Sequence, residues 1–161
     1  MRYLAWLNNL IQASATTFRV DSVTTAQPVS NIRTQYMPQV WRTTGDSDVN
    51  LYIDLGLAIS VNFLGLSGLN WSSAVSATWL AGTTDPPSGG DFTQALTYRR
   101  FDVYNRRATS IIYRYHRIRI QDAANADGFL QCGMVWLGTN VETPIQFIQE
   151  GSDPEVLISR E

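Results

Sequence analysis

The chain has 161 residues, enough for one domain with a buried core, and 44% of them are hydrophobic. Its net charge of −2 excludes the basic surface that nucleic-acid binding requires, and no apolar run is long enough to span a membrane. Its single cysteine, Cys132, excludes an internal disulfide.

The charged residues favour a surface that contacts other proteins. They make up 16% of the chain, against roughly 25% in typical soluble domains, and all 12 basic residues are arginines. Arginine is preferred at interfaces because its planar guanidinium forms bidentate hydrogen bonds and stacks on aromatic rings. Codon bias is the alternative explanation. The apolar segment 1–7 is interrupted by Asn8 and Asn9 before a signal-peptide core forms, so we expect a soluble protein made in a cytoplasm.

The first half of the chain predicts short β-strands joined by polar turns. Apolar residues at 51, 53 and 55 alternate with Tyr52 and Asp54, the period of a half-buried strand, which is expected to end at Gly56. Pro28 and Pro38 make the segment between them irregular. Further strands are predicted over residues 1–11, 15–23, 40–43, 61–69 and 75–79.

Two long strands are predicted in the second half. On the first, residues 111–120, one parity forms a buried face from Ile112 through His116 to Ile120, and tyrosines and arginines occupy the other. On the second, residues 129–138, both faces are mostly apolar, which is typical of a central strand.

The remaining pattern predicts the fold class. A loop rich in proline and glycine at 82–90 precedes a strand over 98–104, and no helix of ordinary length is evident. Many short strands at spacings of roughly ten residues predict an all-β protein, an antiparallel sandwich of the jelly-roll type.

The character of the chain changes after Gly138. We predict a sandwich domain at 1–138 and a C-terminal extension at 139–161 that acts as an inter-subunit arm. A segment with apolar residues but no core of its own needs a partner surface. The candidate assembly contacts are Ile145, Phe147, Ile148, Val156 and Ile158.

Four motifs follow one another in an informative order: Val40–Thr44, Leu51–Gly56 with its I-D-L-G sequence, Arg114–Ile118, and a strand that ends in Trp136-Leu137-Gly138. Over residues 28–138 the chain resembles the discoidin (coagulation-factor C-type) domain, one of the galactose-binding-like jelly rolls. The disulfide of many extracellular members is impossible here. The ligand loops of that family are hypervariable, so the resemblance supplies no ligand residue.

Two further features are similar to small virion proteins of tailed bacteriophages. They are the additional strand at Met1–Leu4 and the sequence Asn70-Trp71-Ser72 after the apolar run. That resemblance implies a structural component of a tail tip, a baseplate or the head surface.

Within the motifs we expect structural roles. The Asp54 carboxylate is expected to accept backbone N–H bonds at a tight turn in which Gly56 adopts a positive φ. Trp41 and Trp136 are large enough to fill the core of the sandwich.

Residues that could carry chemistry lack partners in the sequence. His116 is the only histidine and no nucleophile motif accompanies it, so we expect a packed, hydrogen-bonded side chain. Cys132 is expected to be a small core residue. Neither catalysis nor a cofactor is predicted.

Calcium is considered at two loops, because galactose-binding-like domains often hold a structural calcium ion. Asp46 and Asp48 are the candidate ligands in one loop, although the sequence departs from an EF-hand at its sixth and twelfth positions. Asp122, Asn125 and Asp127 are the candidates in the other. A solvated polar turn is the preferred interpretation of both.

Exposed aromatic rings could stack on sugar rings. Trp71 lies in a predicted turn and is the best candidate, Tyr98 is a second, and Trp79 alternates with apolar residues and is expected in the core. Arg99 and Arg100, near Tyr98 and further arginines, are interpreted as an inter-subunit surface or the wet face of an edge strand.

The leading functional hypothesis is a non-enzymatic structural protein of a bacteriophage particle, located in the virion, that binds other virion proteins and itself. The alternatives are a carbohydrate-binding module that recognises a host surface glycan and a head decoration protein.

Overall fold

A computed structural model describes residues 2–34 and 38–144 of the chain. Two short 3₁₀ helices cover Leu10–Gln12 and Val29–Arg33. No helix within these residues is long and apolar enough to cross a membrane. The strands are β1 (Arg2–Asn9), β2 (Thr17–Val20), β3 (Trp41–Arg42), β4 (Val49–Ser67), β5 (Ser76–Gly82), β6 (Phe92–Leu96), β7 (Tyr98–Arg99), β8 (Asp102–Gln121), β9 (Gln131–Cys132) and β10 (Met134–Pro144).

Every strand pair in the described residues is antiparallel. The large sheet has the order β1-β10-β4-β8-β5-β6, with β2 added to β4 and β7 added to β8, while β3 and β9 form a separate pair. Alternate side chains from these strands meet in one hydrophobic core. The predicted all-β antiparallel sandwich is therefore confirmed.

The strands β4 and β8 each replace two predicted strands. Residues 49–54 of β4 pair with β2 and with residues 115–120 of β8, while the second half of β4 pairs with β10 and with residues 102–113 of β8. The prediction that a strand ends at residue 56 was wrong, because the pairing with β8 resumes beyond an irregularity. One strand pair thus runs through both halves of the fold.

Register shifts in this pair change which side chains point inward. They occur after Asp54 and after Val61 of β4. His116 is buried as predicted, but Ile112 is 63% exposed and Ile111 packs on the core instead. The predicted single parity of this strand fails because a shift in pairing moves side chains to the other face.

The turn at Asp54 and Gly56 has the predicted chemistry inside a continuous strand. Gly56 has φ +80° and donates its N–H to Oδ1 of Asp54 over 2.8 Å. Arg114 of β8 donates to both carboxylate oxygens, over 2.7 and 2.9 Å. These hydrogen bonds lower the pKa of Asp54. The irregular segment is therefore fastened across the strand pair.

The core contains two of the three tryptophans that were predicted to lie in it. Trp41 and Trp79 are fully buried, but Trp136 is only half-buried, so its predicted place in the core was wrong. The reason is a change of phase at Gly133, whose N–H donates to Ser67 as the chain passes from β9 to β10. The inward positions are consequently odd-numbered after Gly133 and even-numbered before it.

The predicted domain boundary falls inside β10. Residues 139–144 continue that strand and pair with β1, with Pro144 opposite Arg2. These six residues therefore belong to the sheet, because β1 offers them a hydrogen-bonding edge. The predicted assembly contacts lie outside the described residues, so the arm stays a prediction: Ile145, Phe147, Ile148, Val156 and Ile158.

We predict that Gly56→Ala destabilises the fold by about 1–2 kcal/mol, because a side chain is unfavourable at φ +80° and the added Cβ would lie 3.4 Å from the carbonyl oxygen of Ala15. Urea unfolding measures the change. Gly45→Ala is the matched control, since its Cβ would meet no atom within 4 Å, and we expect a change within about 0.5 kcal/mol. Equal stability of the two variants would contradict the assigned role of Gly56.

Candidate functional site

Two loops at one end of the sandwich hold each other through buried polar groups. Asp122 is 2% exposed and accepts hydrogen bonds from the backbone N–H and the hydroxyl of Ser72. Asn70 accepts the N–H of Gln131 over 2.8 Å and donates to the carbonyl of Phe129 over 2.9 Å. The loops 68–75 and 122–131 are thereby fixed against each other.

Trp71 lies between these two anchors and points into the protein. Its side chain is 4% exposed, and its ring centroid is 5.9 Å from that of Tyr98 at an interplanar angle of 43°. The expectation that Trp71 stands on the surface was wrong, because Asn70 and Ser72 on either side fix the backbone and turn the ring inward. Contact between Trp71 and a sugar stays a prediction.

The same ring forms a wall of a cleft of about 630 Å³, which we call the Trp71 cleft. Its volume lies within the roughly 300–1,000 Å³ that is usual for small-molecule sites. The lining combines aromatic and aliphatic side chains with two aliphatic hydroxyls, the phenolic hydroxyl of Tyr98 and one guanidinium. The lining residues are Trp71, Ser73, Val75, Leu96, Thr97, Tyr98 and Arg100.

One rim of the cleft is a two-residue hairpin turn between β7 and β8. Its two residues, Arg100 and Phe101, have φ values of +29° and +77°. Such a turn ordinarily carries Asn-Gly, because both positions require a left-handed backbone. Two hydrogen bonds hold it: the N–H of Phe101 donates to the Tyr98 hydroxyl, and the carbonyl of Phe101 accepts from Leu69, each over 3.0 Å.

This turn is strained because both of its residues carry a side chain on a left-handed backbone. Left-handed non-glycine residues are costly and are retained chiefly at functional sites. The Phe101 side chain is 55% exposed, so packing of that ring does not account for the conformation. The sequence indicated Tyr98 as a stacking candidate but assigned Arg100 to a wet edge. No local signal in the sequence marks this turn, because the pair Arg-Phe has no preference for a left-handed backbone.

A smaller cleft of about 170 Å³ lies beside β2 and β4 and is lined in part by Arg19, Tyr52 and Asp85. Arg19 forms an ion pair with Asp85 over 2.9 Å and lies 4.6 Å above the ring centroid of Tyr52. A ligand would have to displace these contacts, because the cation already covers the aromatic face. The Trp71 cleft is therefore the better binding site.

The residues examined for catalysis are packed as the sequence predicts. His116 is 1% exposed and accepts a hydrogen bond from Nε1 of Trp79 over 3.1 Å, and burial lowers the pKa of His116 to about 4. Burial raises the pKa of Cys132 to about 12, so this thiol is not a nucleophile at neutral pH. Both side chains serve the core.

Three of the carboxylates considered as calcium ligands, those of Asp48, Asp122 and Asp127, have protein partners. Asp48 accepts two hydrogen bonds from Arg119, over 3.0 and 2.7 Å, which lower the pKa of its carboxyl. Asp127 accepts a hydrogen bond from Asn70. Asp122 joins the two loops, so the preferred interpretation of its loop as a solvated turn was wrong at this buried residue. The structure does not bring Asp46 and Asp48 together with a third acidic side chain among the described residues.

No protein-family model matches the chain, and neither does any curated protein. Among solved structures, a fucose-binding module of Streptococcus pneumoniae, SpX-3, matches with a TM-score of 0.63 and 15% identity over 83% of this chain and 98% of that one. The family 32 carbohydrate-binding module of Clostridium perfringens NanJ, solved with galactose, matches with a TM-score of 0.58 and 14% identity over 84% of this chain and 98% of that one.

A Ruminococcus gnavus GH29 fucosidase solved with fucose also matches, with a TM-score of 0.61 and 13% identity over 83% of this chain and 27% of that one. At these identities the likeness shows the fold alone. The galactose-binding-like jelly roll implied by the sequence motifs is thus confirmed, whereas the resemblance to phage virion proteins stays a prediction.

We predict that acid destabilises the protein through His116. The folded state holds this proton with a pKa of about 4, against 6.5 for the ordinary side chain, so the unfolded state binds more protons between these values. The free energy of unfolding should therefore fall by up to about 1.4 kcal/mol per pH unit as the pH is lowered from 6.5 to 4. Urea titrations at a series of pH values measure this slope.

His116→Gln is the control, because its amide oxygen can still accept the Trp79 hydrogen bond but does not titrate. The slope between pH 6.5 and 5 should be lost in this variant, whatever its absolute stability. Asp48 and Asp54, whose pKa values are lowered from 3.8, add to the pH dependence only below about pH 5. An unchanged slope in the variant would show that another group is responsible.

We predict that the double variant Arg100→Asn, Phe101→Gly stabilises the fold by about 1–2 kcal/mol, because both new residues tolerate the left-handed backbone. Differential scanning calorimetry should show a higher melting temperature. Arg99→Asn, one position earlier in β7, is the matched control and should be neutral or destabilising. A lower melting temperature of the double variant would disprove strain in this turn.

Proposed function

We propose that this protein is a non-catalytic carbohydrate-binding module and that a saccharide binds in the Trp71 cleft. The observation that carries the proposal is the lining of that cleft, in which the Tyr98 ring stands against Trp71 beside two hydroxyls and a guanidinium. The fold shared with a fucose-binding module and with a galactose-bound module supports it.

The chemistry of the cleft fits a sugar. A pyranose ring has an apolar face of C–H groups and a rim of hydroxyls, so it needs an apolar wall and polar groups beside it. Tyr98 and Leu96 supply apolar surface, and Ser73, Thr97 and Arg100 supply hydrogen-bonding groups. A mostly apolar pocket with a few placed polar groups is the usual form of a small-molecule site.

The lining also favours binding over hydrolysis. Glycoside hydrolysis ordinarily needs two carboxyl groups that flank the scissile bond. None of the side chains that line the cleft is an aspartate or a glutamate. The module would therefore hold its saccharide without cleaving it.

This proposal adopts the alternative hypothesis from the sequence, a carbohydrate-binding module, in place of the leading hypothesis, a structural protein of a phage particle. A role in a phage particle, whether in the tail or as a head decoration, rests on sequence resemblance only, whereas several solved structures that share the fold are carbohydrate-binding modules. Host-surface recognition would be compatible with saccharide binding.

A glycan array followed by isothermal titration calorimetry tests the proposal. We predict that at least one saccharide binds and that Tyr98→Ala weakens its affinity at least about tenfold, because the ring would form the apolar wall. Tyr104→Ala is the matched control: that ring is 54% exposed, outside the cleft, and its loss should leave affinity unchanged. Absence of binding across the array, or equal losses in both variants, would refute the proposal.

A further inference from the structure

We infer that the Trp71 cleft selects an acidic saccharide, one that carries a carboxylate or a sulfate group, and that Arg100 recognises this group. The inference rests on the proposed saccharide binding and adds the chemical class of the ligand. Three observations carry it: the charges of the cleft, the pairing of the other arginines, and the backbone of the turn.

The cleft carries one formal charge and it is positive. Arg100 is the only charged residue among the lining side chains, and no carboxylate lies beside it there. Sugar hydroxyls that donate protons would find only neutral acceptors in this lining. An anionic group on the sugar matches the guanidinium, which forms two parallel hydrogen bonds with a carboxylate or a sulfate.

Three arginines elsewhere in the described chain are paired with carboxylates, whereas others, such as Arg42 and Arg107, donate to uncharged side chains. On the outer face of the sheet each such pair has contacts of 2.7–2.9 Å. Arg100 has no ion pair among the described side chains, and its recorded contact is with the ring of Phe101, whose centroid lies 5.6 Å from the guanidinium carbon. No carboxylate of the described residues therefore competes with a ligand for the Arg100 guanidinium. The outer-face pairs are Arg19–Asp85, Arg114–Asp54 and Arg119–Asp48.

The turn fixes the position of this cation. Hydrogen bonds from Phe101 to Tyr98 and from Leu69 to Phe101 hold the backbone on both sides of the cleft rim. A guanidinium on a fixed backbone loses less conformational freedom when it binds, which favours recognition of a ligand group with defined geometry. Function at this position accounts for the retention of a left-handed Arg-Phe pair.

The test uses the intact protein and matched pairs of saccharides that differ only in one group: glucuronide against glucoside, and galactose 6-sulfate against galactose. Isothermal titration calorimetry should show at least about tenfold tighter binding of the acidic member of a pair. The preference should diminish as the salt concentration is raised from roughly 0.05 to 0.5 M, because the rim of the cleft is open to solvent.

Arg100→Gln should bring the affinities of the two members of each pair to the same value, whatever its effect on the neutral member, and Arg100→Lys should retain part of the preference. Arg99→Gln removes the same charge one residue away, outside the cleft lining, and should change nothing. Circular dichroism confirms that each variant is folded.

The outcomes separate the two proposals. Equal affinity for both members of every pair overturns the inference and leaves saccharide binding intact. A preference for the acid that survives Arg100→Gln overturns the role of Arg100. Absence of binding to any saccharide overturns the proposed function itself.

Discussion

The fold depends on the pairing of β4 with β8. This pair runs through both halves of the sheet, and every other strand of the large sheet is added to one of its edges or to a strand already there. Three arginines of β8 donate to acceptors on β4 or directly before it: Arg114 to Asp54, Arg117 to Asn50 and Arg119 to Asp48. Cross-strand contacts of this kind fix register, because a slip of one residue would turn each cation toward the core.

This use of the arginines separates the two surfaces of the molecule. On the outer face beside β2 and the first half of β4, arginines contact carboxylates and the ring of Tyr52. The Arg19–Asp85 ion pair fills the small cleft there. At the loop end, the buried Asp122 and the half-buried Asn70 form the hydrogen bonds that join the two loops. The rim beside them is left with a cation and an aromatic wall. Ion pairs thus connect strands and loops on the outer face, whereas Arg100, which has no ion pair among the described residues, is the arginine proposed to bind an acidic saccharide.

The sequence predicted most of the fold because the strongest signals were local. Alternation around Ile53 and the I-D-L-G turn gave the strand, the left-handed Gly56 and the hydrogen bond of Asp54 correctly. The errors arose where pairing decides the outcome. Whether a strand continues past a glycine, and which parity faces inward at Ile112, depend on the register against a strand some sixty residues away in the chain.

The site was less accessible to sequence reasoning. Trp71 was identified, but as an exposed residue. Its ring turns inward because the neighbouring Ser72 and Asn70 form hydrogen bonds with residues that are distant in the sequence. Arg100 was assigned to an edge because a left-handed backbone cannot be read from the pair Arg-Phe, which has no preference for it. Strain of this kind becomes visible only in coordinates.

The pairing of β1 with β10 has a geometric consequence for anything attached to this domain. Arg2 and Pro144 lie opposite each other, whereas β10 begins at Met134, opposite Ser67 and next to the loops that form the Trp71 cleft. A strand of 11 residues spans roughly 33 Å. A polypeptide fused at either position would therefore emerge on the side remote from the Trp71 cleft, and the domain could be tethered without covering that cleft.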